Sequence, residues 1–534
     1  MVDLRGRTLL PGINDAHLHL LRTGLALPPY TLDVGAPAAS IADITARVAE
    51  AVAGAGAQEW IRGKGWNTSD LAEGRQPTRG DLDAVAPKHA VALLDWSNHQ
   101  LWVNSKALEL AGVSRDTAAP AGGVIVKDSA GEPTGLLLET AMALVNAHIP
   151  AYTEAQQSDA IGTTVAFLLS QGITSCTEPG IGAVARRLYE DKARNGTLGV
   201  RLTALLSRPD DTYPTAREHI REILDAHRPA ADVDPRRFHV TGVKIRADGV
   251  PIASRTAWMR EPYTGGGRGS LVVEGGTDQE RSDELIAMIG LVHRAGLQVG
   301  THATGDAAID AVVRGYVRAL AGRSATGTHP RHYVIHGDFT WPETLRTLAR
   351  HGCGISMNPT IKALIADGQP DVVGAERAGY QTPYRSALRA GLPVTSASDS
   401  PNVGTDWRQG VRAMLLREGA SGHVSGPDQV IGIAEALHTY TRAGAWQDHS
   451  ERWKGTVEPG MAADLCVLDG TLLDRRGGLA LDSHDLTDLS VALTVVDGRI
   501  VYDAAQASHR AAVAAAGQAS WARNADPAKI CSHC

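Results

Sequence analysis

Apolar residues in this chain fall into short runs separated by longer helical stretches. Eight runs have the length and composition of buried strands: Ile13–Leu20, Ile173–Pro179, Val200–Ser207, His239–Gly249, Leu297–Gly305, His332–Phe339, Cys353–Pro359 and Leu392–Ser400. Several follow a helix-like stretch that ends in glycine, as in SQGIT, RAGLQV, RHGCGI and RAGLPV. Glycine there predicts a left-handed C-cap, with the next strand starting at once. From the third run to the eighth, each interval suits one helix. Eight such units predict an α/β fold of the (β/α)8 TIM-barrel type.

The first interval breaks the rhythm. Between the first and second runs lie strand-like pieces, WIRGKGW, HAVALLDW, GGVIVKD and TGLLLE. They predict an inserted α+β segment over 60–139, expected to act as a lid or substrate segment because barrel loops on that side shape the active site. Residues 11–59 and 140–451 are then the barrel. After it, LTVVDGRIVYD places Asp-Gly between two apolar runs, a strong hairpin signal. Residues 452–505, with 1–10, are expected to form a small β-sandwich-like unit from the chain termini, and 506–534 a tail.

Composition narrows the function classes. The chain has 534 residues, 43% of them apolar, and a net charge of −7. It has no basic patch to neutralise phosphates, so nucleic acid is not an expected partner. No stretch of about 20 apolar residues spans a bilayer. The first twenty residues lack the charged-then-apolar plan of a signal peptide, so a cytoplasmic protein acting on a small molecule is expected, with a homodimer left open. The five cysteines (Cys176, Cys353, Cys466, Cys531, Cys534) are scattered and do not outline a disulfide framework. Cys176 is expected to be a small buried strand residue. Cys531 and Cys534 look like half a zinc site with no second half nearby.

Candidate chemistry sits at the C-terminal ends of the runs, where barrel enzymes hold their sites. The first run ends in His17-Leu18-His19, whose two imidazoles point to the same face of a strand. The fourth carries Lys244, the fifth ends in His302, the sixth in His336 and the eighth in Asp399. Imidazole and carboxylate together suit Zn2+ or a similar divalent ion. Each residue alone has a plain structural explanation. The order and common end of the barrel make the joint pattern the argument. Only nine of the 52 basic residues are lysines, and Lys244 occupies a run expected to be buried, where a lone ammonium is costly. The alternative is that Lys244 pairs with a carboxylate such as Asp248 and binds no metal.

LLPGINDAHLHL resembles the first-strand motif of the amidohydrolase superfamily. GKGWN, the stretch from PTRGDLD to WVNSKAL, GEPTGLLLE, VKIRADG, THATGDAAID, SMNP, SDSP and GTVEPGMAADLCVLD resemble more narrowly its YtcJ-like branch, amidohydrolase family 3, the group of N-substituted formamide deformylase and AepA-like proteins. The resemblance runs from about Leu4 to about Asp503. It implies His17, His19, Lys244, His302, His336 and Asp399 as metal positions, with one or two Zn2+ ions (Mn2+ or Fe2+ being other candidates) and a carboxylated lysine. It implies a metal-dependent hydrolase of carbon–nitrogen bonds other than peptide bonds. A metal-activated hydroxide would attack the carbonyl, with Asp399 as proton shuttle and His302 as a second catalytic residue. Asp399 also fits a helix N-cap in Ser-Asp-Ser-Pro, and the two roles are compatible. Decarboxylation or hydration on the same scaffold, or a non-catalytic scaffold protein, are the alternatives.

Further candidates are less constrained. Trp66, His99, Arg255 and Trp258 are expected at the substrate site, with lid or core packing as the competing role of the tryptophans and of His99. Glu178, ending the second run, is a candidate alternative metal ligand or an outer carboxylate near the metal, with a structural carboxylate as the competing role.

Overall fold

The computed structural model describes residues 3–506 except 36–37, 69–70, 97–98, 121, 210–211, 253, 323–326 and 328. The expected tail, with Cys531 and Cys534, therefore lies outside the described residues. The chain divides into two compact units. Among the described residues, one comprises 3–21 and 161–506 and the other 22–160.

In the first unit the eight predicted runs form one parallel sheet of eight strands. They are β1 (Ile13–Asp15), β2 (Ile173–Ile181), β3 (Arg201–Leu206), β4 (Phe238–Arg246), β5 (Gln298–Ala303), β6 (Tyr333–His336), β7 (Gly354–Met357) and β8 (Val394–Ser396). Neighbours in the sheet are neighbours in sequence, from β1 through to β8. The two ends are joined by single backbone bonds. Ala16 N donates to Ser396 O (3.3 Å) and Asp399 N to His17 O (2.8 Å), so the sheet curls into a nearly closed TIM barrel. The glycines before β2, β5, β7 and β8 (Gly172, Gly296, Gly352, Gly391) have φ of 75°, 79°, 61° and 74°. They are the left-handed turns that send each helix back into the barrel. Helices such as Asp278–Arg294 and Asp306–Leu320 cover the outside with Leu285, Ile289, Ile309 and Val313.

The termini supply a four-stranded antiparallel sheet in the same unit, in the order Thr8–Pro11, Leu465–Leu468, Val491–Val496, Arg499–Asp503. Its last two strands meet at Asp497-Gly498, both with positive φ (53° and 73°), the conformation a two-residue hairpin turn requires. Arg201 at the start of β3 ties this sheet to the barrel. Its guanidinium bonds Asp464 at 2.5 and 3.0 Å and Asp497 at 2.6 Å.

The second unit is built on a six-stranded sheet, in the order Leu32–Asp33, Ile61–Trp66, Val91–Asp95, Gln100–Val103, Pro133–Glu139, Gly123–Lys127. It begins well before residue 60, where the insertion was expected. Leu32–Asp33 pairs with Ile61–Trp66, and the helix Ile41–Gly54 buries Ile41, Ile44 and Val48 in this unit's own core. Apolar periodicity marks a helix without saying which sheet it covers. Among the described residues no helix is long and apolar enough to cross a membrane.

Candidate metal centre

The C-terminal mouth of the barrel gathers the chemistry-bearing residues of the first unit. His17 and His19 leave the end of β1 with Leu18, fully buried, between them. Their backbone is pinned on both sides: Leu18 N donates to Thr177 O (2.9 Å) and His19 N to Ser400 O (2.9 Å). Asp15 accepts from His17 N (3.3 Å) and Ser398 N (3.1 Å), which ties β1 to the segment after β8; burial pushes its carboxyl up to about 7.

The imidazoles form a buried chain. Ring centroids lie 5.5 Å apart for His17 and His19, 5.4 Å for His17 and His336, and 4.5 Å for His336 and His302. Three tautomers follow from their partners. His302 Nε2 faces the Gly249 carbonyl (3.2 Å), which only accepts, so Nε2 carries the proton and Nδ1 the lone pair. Asn358 spends its amide nitrogen on Ala397 O (3.1 Å), so its Oδ1, 2.7 Å from His336 Nδ1, accepts there. His336 Nε2 is then the lone pair. His19 Nδ1 lies 3.5 Å from Glu178 Oε1, which leaves its Nε2. These three nitrogens are buried and make no hydrogen bond with the protein. Unpaired buried polar atoms are costly, and a bound cation removes that cost.

The electrostatics agree with a cation site. Burial holds His17 and His302 well below the usual imidazole range and brings His336 to about 4, so all three are neutral and able to donate a lone pair. Burial opposes ionisation of Asp399, but the neighbouring His17, His19 and His336 imidazoles outweigh it and hold its carboxyl well below the usual range, so it is anionic. Asp399 Oδ1 lies 3.1 Å from His17 Nε2. Donor atoms of His17, His336 and Asp399 all fall within 4.8 Å of one another, a spacing that one metal ion can bridge. His336 and Asp399 both have positive φ (71° and 60°), strained for residues with a Cβ, and both strained positions carry donor atoms.

Lys244 is 1% exposed on β4, and burial brings its ammonium down to about 7. Its charge interacts with Asp399 through space, and among the described residues no carboxylate lies within ion-pair distance of it. Asp248 is committed elsewhere, accepting from the backbone of Thr304 (3.0 Å), Gly305 (2.9 Å) and Trp258 (2.9 Å).

A cavity opens beside His302, His336 and Asp399. Val250, Pro251, Ile252, Ile361 and Ile365 give it an apolar wall, and Thr304, Asp338 and Asn358 its polar atoms. None of the four residues expected at the substrate site lines it. Trp66 is 1% exposed inside the second unit, donates its indole NH to Leu93 O (2.9 Å) and packs edge-on against Trp102. His99, in the same unit, is exposed and bonds Glu139 (2.9 Å). Arg255 is exposed and bonds Thr264 O (2.9 Å). Trp258 packs against the barrel core, and its carbonyl receives the backbone of Ala307 and Ala308. Packing and local hydrogen bonding account for all four. Glu178 accepts from Leu20 N (2.6 Å) and Tyr189 (2.9 Å) while facing His19, so it positions that ring. Cys176 is fully buried, and burial pushes its thiol up. Sequence reasoning missed Asn358 and Asp338. Asn358 stood in the SMNP stretch, and Asp338 follows His336-Gly337 directly.

A family model described as amidohydrolase matches residues 1–502. YtcJ of Bacillus subtilis (strain 168) is 27% identical over 512 residues, 94% of this chain and 90% of that protein. N-substituted formamide deformylase of Arthrobacter pascens is 28% identical over 515 residues, again 94% of this chain and 90% of the relative. The crystal structure of an uncharacterized metal-dependent hydrolase from Pyrococcus furiosus superposes with a TM-score of 0.69 at 26% identity, covering 88% of this chain and 89% of that one.

Proposed function

The chain belongs to the amidohydrolase family and is a metal-dependent hydrolase; from that premise we propose that it cleaves the carbon–nitrogen bond of an amide, formamide or other N-acyl group. The observation that carries this reading is the set of buried, proton-free imidazole nitrogens on His19, His302 and His336 beside the anionic Asp399. His17, His19, Lys244, His302, His336 and Asp399 would hold one or two divalent ions, Zn2+ before Mn2+ or Fe2+ because imidazole dominates the donor set. The chemistry such an ion supplies is Lewis acidity, which polarises the scissile carbonyl and makes water nucleophilic at neutral pH.

The remaining work belongs to side chains. Asp399 accepts the proton released as the water oxygen bonds to the carbonyl carbon. It delivers that proton to the leaving nitrogen as the C–N bond breaks, so acid and amine are the products. Asn358 and the Gly249 carbonyl fix the tautomers of His336 and His302, and Glu178 orients His19. Lys244, with its amine neutral above about pH 7, would add CO2 at Nζ, release a proton and become an anionic oxygen donor.

Protein loaded in turn with Zn2+, Mn2+ and Fe2+ is expected to release amine from members of a panel of formamides, N-acyl amines and cyclic amides. A fully loaded protein that turns over none of them, or that releases CO2 without amine, overturns the proposal. Intact mass in bicarbonate buffer tests Lys244 separately: the added mass of one CO2 is expected in the wild type and absent from Lys244→Met.

A further inference from the structure

The cavity beside the metal centre is apolar along one wall and carries one carboxylate that none of the preceding chemistry uses. That carboxylate is Asp338. It follows His336 and Gly337, whose φ values of 71° and 59° turn the chain sharply after β6. A Cβ on Gly337 would lie 2.3 Å from the side chain of Ile355, which would have to shift, so glycine suits this turn. The turn brings Asp338 into the cavity lining with His302, His336 and Asp399.

Asp338 is held in place rather than neutralised. Its Oδ2 accepts from the amide nitrogen of Gln381 (2.8 Å), and its carbonyl accepts from Thr382 N (2.8 Å). Gln381 is 1% exposed, and its own Oε1 has no partner, so its amide serves Asp338 alone. Among the described residues, Asp338 Oδ1 receives no hydrogen bond, and no cation lies within ion-pair distance of the carboxylate. Lys362, whose charge reaches Asp338 through space, spends its ammonium on Ala378 O (2.9 Å) and Ser425 Oγ (2.8 Å). A positioned carboxylate with one oxygen unbonded, in the lining of a largely apolar cavity, calls for a donor on the ligand.

We propose that Asp338 is a specificity-determining residue that receives a protonated nitrogen of the substrate, and that the preferred substrates are N-acyl amines carrying a second, cationic nitrogen on an otherwise apolar chain. This rests on the C–N hydrolase reading for the scissile bond; the subsite itself rests on the cavity.

The test compares monoacetylated and monoformylated diaminoalkanes, in a chain-length series, with neutral isosteres that end in a methyl or hydroxyl group. The metal-loaded wild type is expected to favour the cationic member by about tenfold to a hundredfold in kcat/KM, the worth of a hydrogen bond to a charged group. In Asp338→Asn the preference disappears, with KM for the cationic member rising toward that of the neutral isostere. Asp338→Glu, which keeps the charge, restores part of it. A neutral isostere turned over equally well, with a ratio unchanged in Asp338→Asn, overturns the inference and leaves the hydrolase reading standing. If no amide of either kind is cleaved, the hydrolase reading fails and calorimetry decides the subsite. Alkylammonium binding tighter than that of the matching alcohol, and lost in Asp338→Asn, supports it; equal binding of the two overturns it.

Discussion

Lys244 shows how a single residue trades stability for a site. The ordinary lysine pKa is near 10.5, and burial lowers it to about 7 in the folded chain. Between those values the unfolded chain binds a proton that the folded chain does not, so the stability of the metal-free protein rises with pH across that window. Below about pH 7 both states are charged and the cost of burying the ammonium is felt in full. Lys244→Met is therefore expected to stabilise the metal-free protein by about 1–4 kcal/mol at neutral or lower pH, with a gain that shrinks toward pH 10, while lowering metal content. Denaturant melts of chelator-treated protein at several pH values measure it; a destabilised variant would mean that the ammonium is compensated after all. Asp399→Asn keeps the shape and removes the base. A fall in kcat of about a hundredfold to ten-thousandfold at saturating metal is expected, and a fall under tenfold would reassign the proton transfer. The residues best read from sequence were those whose chemistry is tied to a regular element. His17 and His19 share a strand face, and Lys244, His302 and His336 end or lie on strands whose apolar runs are plain. Asp338, Asn358 and Ile252 come from loops, where no period says which way a side chain turns. A tryptophan in an inserted segment fills a core as readily as it lines a site, and Trp66 packs in the core of the second unit.

At the scale of elements, the eight barrel strands were legible because each is a buried apolar run preceded or followed by a turn signal. The Asp497-Gly498 hairpin was legible because its turn needs positive φ twice. The start of the second unit was not, since the amphipathic helix Ile41–Gly54 would look the same beside either sheet. Arg201 was invisible as well: its partners Asp464 and Asp497 lie more than 260 positions along the chain. Its side chain and that of Asp464 are each 6% exposed, and its guanidinium also sits over the Trp453 ring at 4.9 Å. Arg201→Met would leave Asp464 buried without its cation. The expected loss is about 3–5 kcal/mol, with unchanged metal stoichiometry. The double variant Arg201→Met with Asp464→Leu should recover most of it. Urea melts check both, and a single-variant loss below 1 kcal/mol would show that the terminal sheet is held by its apolar face alone.

For the molecule as a whole, the division of labour between units makes its own prediction. Every residue proposed to hold metal, from His17 to Asp399, belongs to the unit formed by residues 3–21 and 161–506, and so does the cavity beside them. The other unit has separate cores, one around Trp66 and Trp102 and one around Leu101 and Leu137. A ligand that binds only the native state stabilises what it binds, by about 4 kcal/mol when present at a thousand times its dissociation constant. Metal should thus act on one cooperative unit and not on the other. Scanning calorimetry of the loaded protein is expected to show two transitions, of which chelation lowers one and leaves the second in place. The variant His302→Ala should mimic chelation, and added Zn2+ should no longer restore its lower transition. A single transition that shifts as one on chelation would mean that the whole chain unfolds as one cooperative unit, and the prediction would fail.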